Sequence, residues 1–395
     1  MRVLFSTTAG SGHFGPLIPF ARACVDAGHL VKVAAPASFA TEVSRAGLDH
    51  APFDDVPPDV IGPVFGRLPE LSFEEANATV MSEVFGRLDA QAALPGVTRI
   101  VEDWTPDVVV REPCEFAALV AAARAGIPQA QVAIGMGALE GPMMSVLAAP
   151  LAELSRLAEL PADGAVRTLM GSPRFTTVPA ALDGPDDRHG DVDASTAGAI
   201  LRFRDPTLVA NGVDLPPAWG DPGHPLVYVT FGSVAAGLGP YSAIYSATIG
   251  ALADIPLRVL LTTGRGIDPA SLAPLPENVH VEQWWPQADV MAHTAAVVGH
   301  GGFGTTMIAL AAGVPQVVVP LFAFDQVVNA ERVAAIGAGI ELAGGPDAIG
   351  AIRSSLIRVI DDPTYRDGAR AVAADIARLP PVTEAVPVLE RLAAC

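Results

Sequence analysis

A chain of 395 residues is long for a single hydrophobic core, which rarely grows past about 250–300 residues, so two domains are expected. Half the residues are hydrophobic, enough for sizeable cores, and the formal net charge of -19 argues against a nucleic-acid polymer as partner, because phosphate backbones demand clustered Lys and Arg. Three cysteines, Cys24, Cys114 and Cys395, are far apart and odd in number, which suggests a reducing compartment without a disulfide framework or a cysteine metal cluster.

Arg2 to Thr7 (RVLFST) reads as a first strand buried on both faces. Gly10-Ser11-Gly12-His13-Phe14-Gly15-Pro16 is a glycine turn entering a helix, with Pro16 suited to the first helical turn. That helix is expected to stop at Gly28, a natural left-handed cap, before a second strand from His29 to Ala35. The opening is therefore a βαβ unit. The apolar core of the N-terminus is too short for a signal peptide, so a cytoplasmic protein is expected. Residues 56–97 are less periodic and rich in proline, Phe and Met, and read as loops and helices lining a pocket. Pro106 to Glu112 is a further strand, Cys114 to Arg124 a helix closed by Gly126, and Ile127 to Ile134 resumes the sheet. Met136 to Leu160 is rich in Met, Leu and Ala, whereas Pro161 to Thr196 is polar and reads as mobile.

Pro206 to Pro225 holds five prolines and three glycines and is the best domain linker in the chain. A second series of strand and helix signals follows at once: Leu226 to Thr230, Phe231-Gly232-Ser233 and a helix, then strands at Leu257 to Thr262 and Val279 to Val281. From Val290 to Phe324 there is no charged side chain, which mimics a membrane span. Glycines and prolines cut it into pieces well short of the roughly 20 residues a span needs, so a buried parallel sheet explains it better and no membrane partner is expected. Amphipathic helices at Ile349 to Asp361, Tyr365 to Arg378 and Glu384 to Ala393 end the chain. Two α/β halves, each a doubly wound parallel sheet, are the expected fold class.

The densest stretch runs from Val297 to Asn329: a strand, the turn Gly299-His300-Gly301-Gly302-Phe303-Gly304, a helix opened by Thr305 and Thr306, a second strand and the pair Asp325-Gln326. Glycines let backbone N–H groups approach an anion, and a helix N-terminus adds roughly half a positive charge. The turn thus suits a phosphate, with Asp325 and Gln326 one loop further on to bond a neutral polyol. Both Gly10/Gly12/Gly15 and Gly299/Gly301/Gly304 match the G-x-G-x-x-G pattern, so a dinucleotide site has to be weighed. That reading needs an acid at the end of the next strand. The first match fails, since its strand ends Ala34-Ala35-Pro36, and the second survives only on the spacing to Asp325.

His300-Gly301-Gly302-Phe303-Gly304-Thr305, Trp284-Trp285-Pro286-Gln287 upstream, Asp325-Gln326 before Asn329-Ala330, and Gly12-His13-Phe14-Gly15-Pro16 near the start occur in one order along the chain. Together they resemble the motifs of nucleotide-sugar glycosyltransferases of family 1, with the GT-B fold, and most closely the bacterial branch that decorates antibiotics and other natural products. The resemblance implies an acceptor-binding domain 1–205, a linker 206–225, a nucleotide-sugar-binding domain 226–380, and a C-terminal helix 381–395 that can cross back to the first domain. It implies that Trp284 stacks on the base and that Gln287 bonds base or ribose. His300, Ser233 and the N–H groups of Gly301, Gly302, Gly304 and Thr305 hold the diphosphate, and Asp325 and Gln326 bond the sugar.

His13 is the implied general base of an inverting transfer. It takes the proton of the acceptor hydroxyl as that hydroxyl attacks the anomeric carbon in the cleft between domains. A carboxylate must orient the ring; the family often has Asp where this chain has Glu112, and Glu115 is the alternative. Phe65, Phe85, Met136 and Met143 are expected to contact a hydrophobic aglycone. No metal is expected, since the histidines show no ligand spacing, and no cofactor beyond a dTDP- or UDP-sugar co-substrate. The partners implied are that nucleotide sugar and a hydrophobic small-molecule acceptor, with a homodimer left open. An NAD(P)-dependent oxidoreductase and a GT-B nucleotide-sugar epimerase are the rival readings.

Overall fold

The computed structural model describes residues 1–183, 198–237 and 241–394, and only the backbone of 140–142. Residues 184–197, which take in the end of the polar stretch read as mobile, lie outside the described residues, as do 238–240 and Cys395. The chain divides into two compact units: Met1–Thr177, Pro185–Asp205 and Pro380–Cys395 form the first, and Val178–Gly184 with Pro206–Leu379 the second. Residues 206–225, read as a linker, therefore count with the second unit.

In the first unit, seven parallel strands form one sheet: β1 (Arg2–Ser6), β2 (Leu30–Pro36), β3 (Asp49–Phe53), β4 (Val108–Arg111), β5 (Gln129–Val132), β6 (Arg174–Thr176) and β7 (Ile200–Arg202). Their order is β3-β2-β1-β4-β5-β6-β7, so the sheet winds outward both ways from the β1/β4 junction. Alternation along each strand feeds two cores: Val3, Phe5, Val108 and Val110 face one way, Leu4 and Val109 the other. The C-terminal residues Val382, Val386, Val388 and Leu389 join the first of these cores. A hydrogen bond from Arg204 N to Pro380 O (2.7 Å) fastens the returning chain beside β7. Each fully buried side chain of this kind contributes roughly 1.5–3 kcal/mol.

The second unit has six parallel strands: β8 (Leu226–Thr230), β9 (Arg258–Thr262), β10 (Val279–Glu282), β11 (Thr294–Gly299), β12 (Gln316–Val318) and β13 (Gly339–Glu341). Their order, β10-β9-β8-β11-β12-β13, repeats the outward winding from a central junction, here β8/β11. The uncharged stretch Val290–Phe324 is the middle of this sheet. Among the described residues no helix is long and apolar enough to cross a membrane.

Some elements depart from the sequence expectation. Residues 56–97 are almost entirely helical: Pro58–Arg67, Phe73–Thr79 (opened by a Ser72/Glu75 capping box), a π-helical turn Val80–Asp89, and Ala90–Trp104. The polar stretch after Pro161 contributes β6 and the helix Gly164–Gly171. Asp325 and Gln326 sit on the first turn of a helix, Phe324–Ala335, instead of in a loop.

Candidate active site

In a doubly wound sheet the crevice opens where neighbouring strands lead their crossovers to opposite sides, beyond the strands' carboxyl ends. In the first unit that point lies between β1 and β4, and the segments leaving them carry His13 and Glu112. Ser6 pairs with Arg111, and Glu112 N donates to Ser6 O at 3.3 Å, so the two exits begin side by side. Gly10, at φ 131°, turns the chain into the short helix Ser11–Phe14 that presents His13.

His13 Nδ1 stands 3.3 Å from Glu112 Oε2. The other carboxylate oxygen accepts from Thr8 N (3.2 Å) and Thr8 Oγ1 (3.0 Å), and Oε2 also accepts from Cys114 N at 2.6 Å. Burial alone would raise the Glu112 pKa, but His13 and these hydrogen bonds hold it below the ordinary carboxylate value. A carboxylate facing Nδ1 selects the tautomer with its proton there, so Nε2 is the basic nitrogen.

Glu115 is elsewhere engaged. Its carboxyl accepts from Ala117 N (2.9 Å) and Ala118 N (3.1 and 3.2 Å) at the start of the helix Ala117–Ala125. Burial pushes its pKa up to about 7, so it is half-protonated where Glu112 is fully charged. Geometry thus singles out Glu112 as the neighbour of His13.

A cavity of about 290 Å³ opens in the same unit, and Phe65, Phe85, Cys114 and Glu115 are in its wall. The Phe85 ring lies 5.1 Å from the His13 ring. Met136 and Met143, expected at the acceptor, do not line it. Met136 is buried, 1 % exposed, and Met143 packs among Leu147, Leu151 and their neighbours. Both methionines obey the apolar demands of a core, which sequence alone does not separate from those of a ligand pocket. Asp89, unremarked in the sequence, does line it. Its burial pushes its pKa up to about 6, with His13 pulling it down and Glu112 and Asp55 pushing it further up. Its one sequence signal is an acid four positions after Phe85 on a helical face.

In the second unit the corresponding junction lies between β8 and β11, and it gathers Gly232-Ser233 from one exit and His300-Gly301-Gly302 from the other. The His300 ring is clamped between glycines. A Cβ on Gly232 would meet Nε2 at 2.6 Å, and one on Gly302 would meet it at 2.5 Å. Burial lowers the His300 pKa to about 4, so the imidazole is neutral, and its buried Nδ1 has no hydrogen-bond partner among the described residues. With the imidazole neutral, attraction for an anion at this turn falls to the N–H dipoles.

Gly301 has φ 84°, and a Cβ there would strike Gln326 O at 2.7 Å. Asn329 Nδ2 donates to Gly301 O at 2.7 Å and pins the bend. Just beyond, the helix Phe303–Ala311 begins after Gly302, directing the N–H groups of its first turn, Gly304 and Thr305 among them, at the crevice. Thr305 Oγ1 donates to Gln287 Oε1 at 3.1 Å, tying the segment of Trp284 to the same turn. Trp284 itself is 70 % exposed, an unusual state for an indole. Ser233 is exposed and Asp325 half-buried. Gln326 is turned inward: it is 3 % exposed, and its Oε1 accepts from Leu321 N (2.8 Å) and Phe322 N (3.2 Å). That oxygen shapes the loop, which leaves Asp325 as the more accessible member of the pair. No acid closes β12, where a dinucleotide ribose would need one: Val318 runs on through Val319 to Pro320.

Among the described residues one trio offers metal-ligand atoms within 4.8 Å of one another: His13, Glu112 and Cys114. A soft cation captured there would draw on both side chains of the dyad.

Comparison with known proteins gives concordant matches. The model of the erythromycin biosynthesis protein CIII-like N-terminal domain matches residues 22–149, and that of the C-terminal domain residues 246–392. An L-demethylnoviosyl transferase of Streptomyces niveus is 33 % identical over 401 residues, spanning 100 % of this chain and 98 % of the relative. Among solved structures, the glycosyltransferase SnogD from Streptomyces nogalater superposes with a TM-score of 0.75 at 28 % identity, covering 100 % of this chain and 99 % of that one. The glycosyltransferase VinC in complex with dTDP does so with 0.78 at 25 % identity, covering 100 % of both.

Proposed function

This chain belongs to the erythromycin biosynthesis protein CIII-like glycosyltransferases, the bacterial natural-product branch of family 1 with the GT-B fold, and we propose that it transfers a hexose or deoxyhexose with inversion from a dTDP- or UDP-sugar to a hydroxyl of a hydrophobic aglycone. The observation that carries this reading is the His13–Glu112 contact of 3.3 Å, with Phe85, a wall residue of the cavity, 5.1 Å from the His13 ring.

In the mechanism proposed, the acceptor hydroxyl gives its proton to His13 Nε2 while its oxygen attacks the anomeric carbon. Glu112 holds the ring and offsets the charge that develops on it. The nucleoside diphosphate leaves from the opposite side of that carbon. Its charge is received by the N–H groups of the Gly301–Thr305 turn, with Ser233 and the neutral His300 as further hydrogen-bonding groups, and no metal is invoked. Trp284 stacks on the pyrimidine, and Asp325, with Gln326 behind it, faces the sugar hydroxyls. The solved relative that holds dTDP supports a thymidine donor over a uridine one.

Mass spectrometry of reactions pairing dTDP- and UDP-sugars with polyketide, macrolide and polyphenol acceptors tests the reading. A product heavier by one glycosyl residue is expected, and His13→Ala lowers kcat by about 10²–10⁴ while the Kd for the nucleotide stays put. Donor consumed without an acceptor would point to an epimerase or a hydrolase instead.

A further inference from the structure

Asp89 closes the π-helical turn Val80–Asp89, a wide form of helix that recurs at functional sites. With somewhat over four residues per turn, Phe85 and Asp89 share a face, and both line the cavity. Phe85 touches the His13 ring, and the charge of His13 reaches Asp89. Of the other acids in this wall, Glu115 caps a helix, Asp55 accepts from Ser38 N at 3.0 Å, and Asp54 is exposed to solvent. The Asp89 carboxyl has no hydrogen bond or ion pair among the described residues, although burial raises its pKa to about 6. The carboxyl is half-buried in the cavity wall, so a ligand filling the cavity can supply the donor it lacks. Around it, Phe53, Phe65, Phe85 and Phe116 give the cavity flat apolar walls.

Building on the glycosyltransferase reading, we propose that Asp89 determines acceptor specificity: its carboxylate accepts a hydrogen bond from a second hydroxyl of a flat aromatic acceptor whose first hydroxyl lies at His13. The acceptor class is then a polyhydroxylated aromatic ring system, gripped at two oxygens and sandwiched by phenylalanines.

The test is titration calorimetry of 1,2-dihydroxyanthraquinone and 2-hydroxyanthraquinone against the wild type, Asp89→Asn and Asp89→Leu, with melting temperatures recorded in parallel. The wild type is expected to bind the diol at least about tenfold more tightly than the mono-ol, the gain of one hydrogen bond to a charged group. Asp89→Leu should abolish the difference with an equal or higher Tm, and Asp89→Asn, which keeps a carbonyl acceptor, should retain part of it. In turnover the variants should raise KM for the diol more than they lower kcat. Equal affinity of the wild type for both quinones, no binding of either, or full discrimination in Asp89→Asn would each overturn the proposal. Titration of dTDP and UDP into the same proteins separates the two layers. A wild type that prefers the diol but binds neither nucleotide would refute the glycosyltransferase site and leave Asp89 as a diol-recognising group.

Discussion

A carboxylate as deeply buried as Glu112 stays charged because Thr8, Cys114 and His13 surround it with donors. Glu115, three residues on, has the Arg111 charge and helix N–H donors near it, yet burial outweighs them and its pKa rises to about 7. The two acids therefore give opposite predictions. Glu112→Gln should lower kcat by about 10²–10⁴, since the amide no longer offsets the charge on His13, whereas Glu115→Gln should leave kcat nearly unchanged. Equal losses would remove Glu112 from the mechanism. Stability separates them again. A carboxyl with a raised folded-state pKa stabilises the protein below its unfolded value of 4.5, and that contribution is lost as pH rises through about 7. Glu115→Gln should thus raise stability at pH 8, by on the order of 2 kcal/mol, and change it little at pH 5. Melting curves at the two pH values decide it, and a gain at pH 5 equal to that at pH 8 would contradict the sign. At Trp284, 70 % exposed, Ala should weaken nucleotide binding by about 1–3 kcal/mol without lowering Tm. A parallel loss of Tm would mean that the indole serves packing.

Among the elements, the glycine bend after β11 tolerates little change. Gly301→Ala must hold a left-handed φ of 84° and bring a Cβ within 2.7 Å of Gln326 O, so the bend has to open. We expect a loss of roughly 1–3 kcal/mol of stability together with loss of nucleotide binding. Unchanged affinity measured by calorimetry would mean that the bend does not hold the diphosphate. This bend was legible in the sequence, because a glycine cluster between an apolar run and a helical pattern marks a tight strand-to-helix turn. So were β1, β4, β8 and β11, whose runs of Val and Leu are buried on both faces. β6, β7 and β13 were not, since three residues are too few to display a period, and β3 reads Asp-His-Ala-Pro-Phe at a sheet edge. The dyad lay further out of reach. Thr8 and Glu112 meet across 104 residues because β1 and β4 are neighbours, and strand order is not written in any local pattern. Only the family resemblance proposed that partnership from the sequence. Asp89 escaped for a related reason: the π turn that aims it into the cavity has no signature in composition.

For the molecule as a whole, the chain folds as two units that each wind a parallel sheet from a central junction, and each junction carries one half of the proposed chemistry. The C-terminal residues belong to the first unit's core, far in sequence from its strands. Deleting residues 380–395 should therefore strip hydrogen-exchange protection from β1–β7 while β8–β13 keep theirs and nucleotide still binds. Uniform loss of protection would show that the units do not melt separately. The central claim is that a nucleoside diphosphate is held by backbone N–H groups at the second junction. A crystal structure with dTDP or UDP bound tests it most directly. The account predicts the diphosphate on the N–H groups of Gly301–Thr305 and the pyrimidine against Trp284. A nucleotide lodged anywhere else, or one held by a cation with the glycine bend empty, would contradict it.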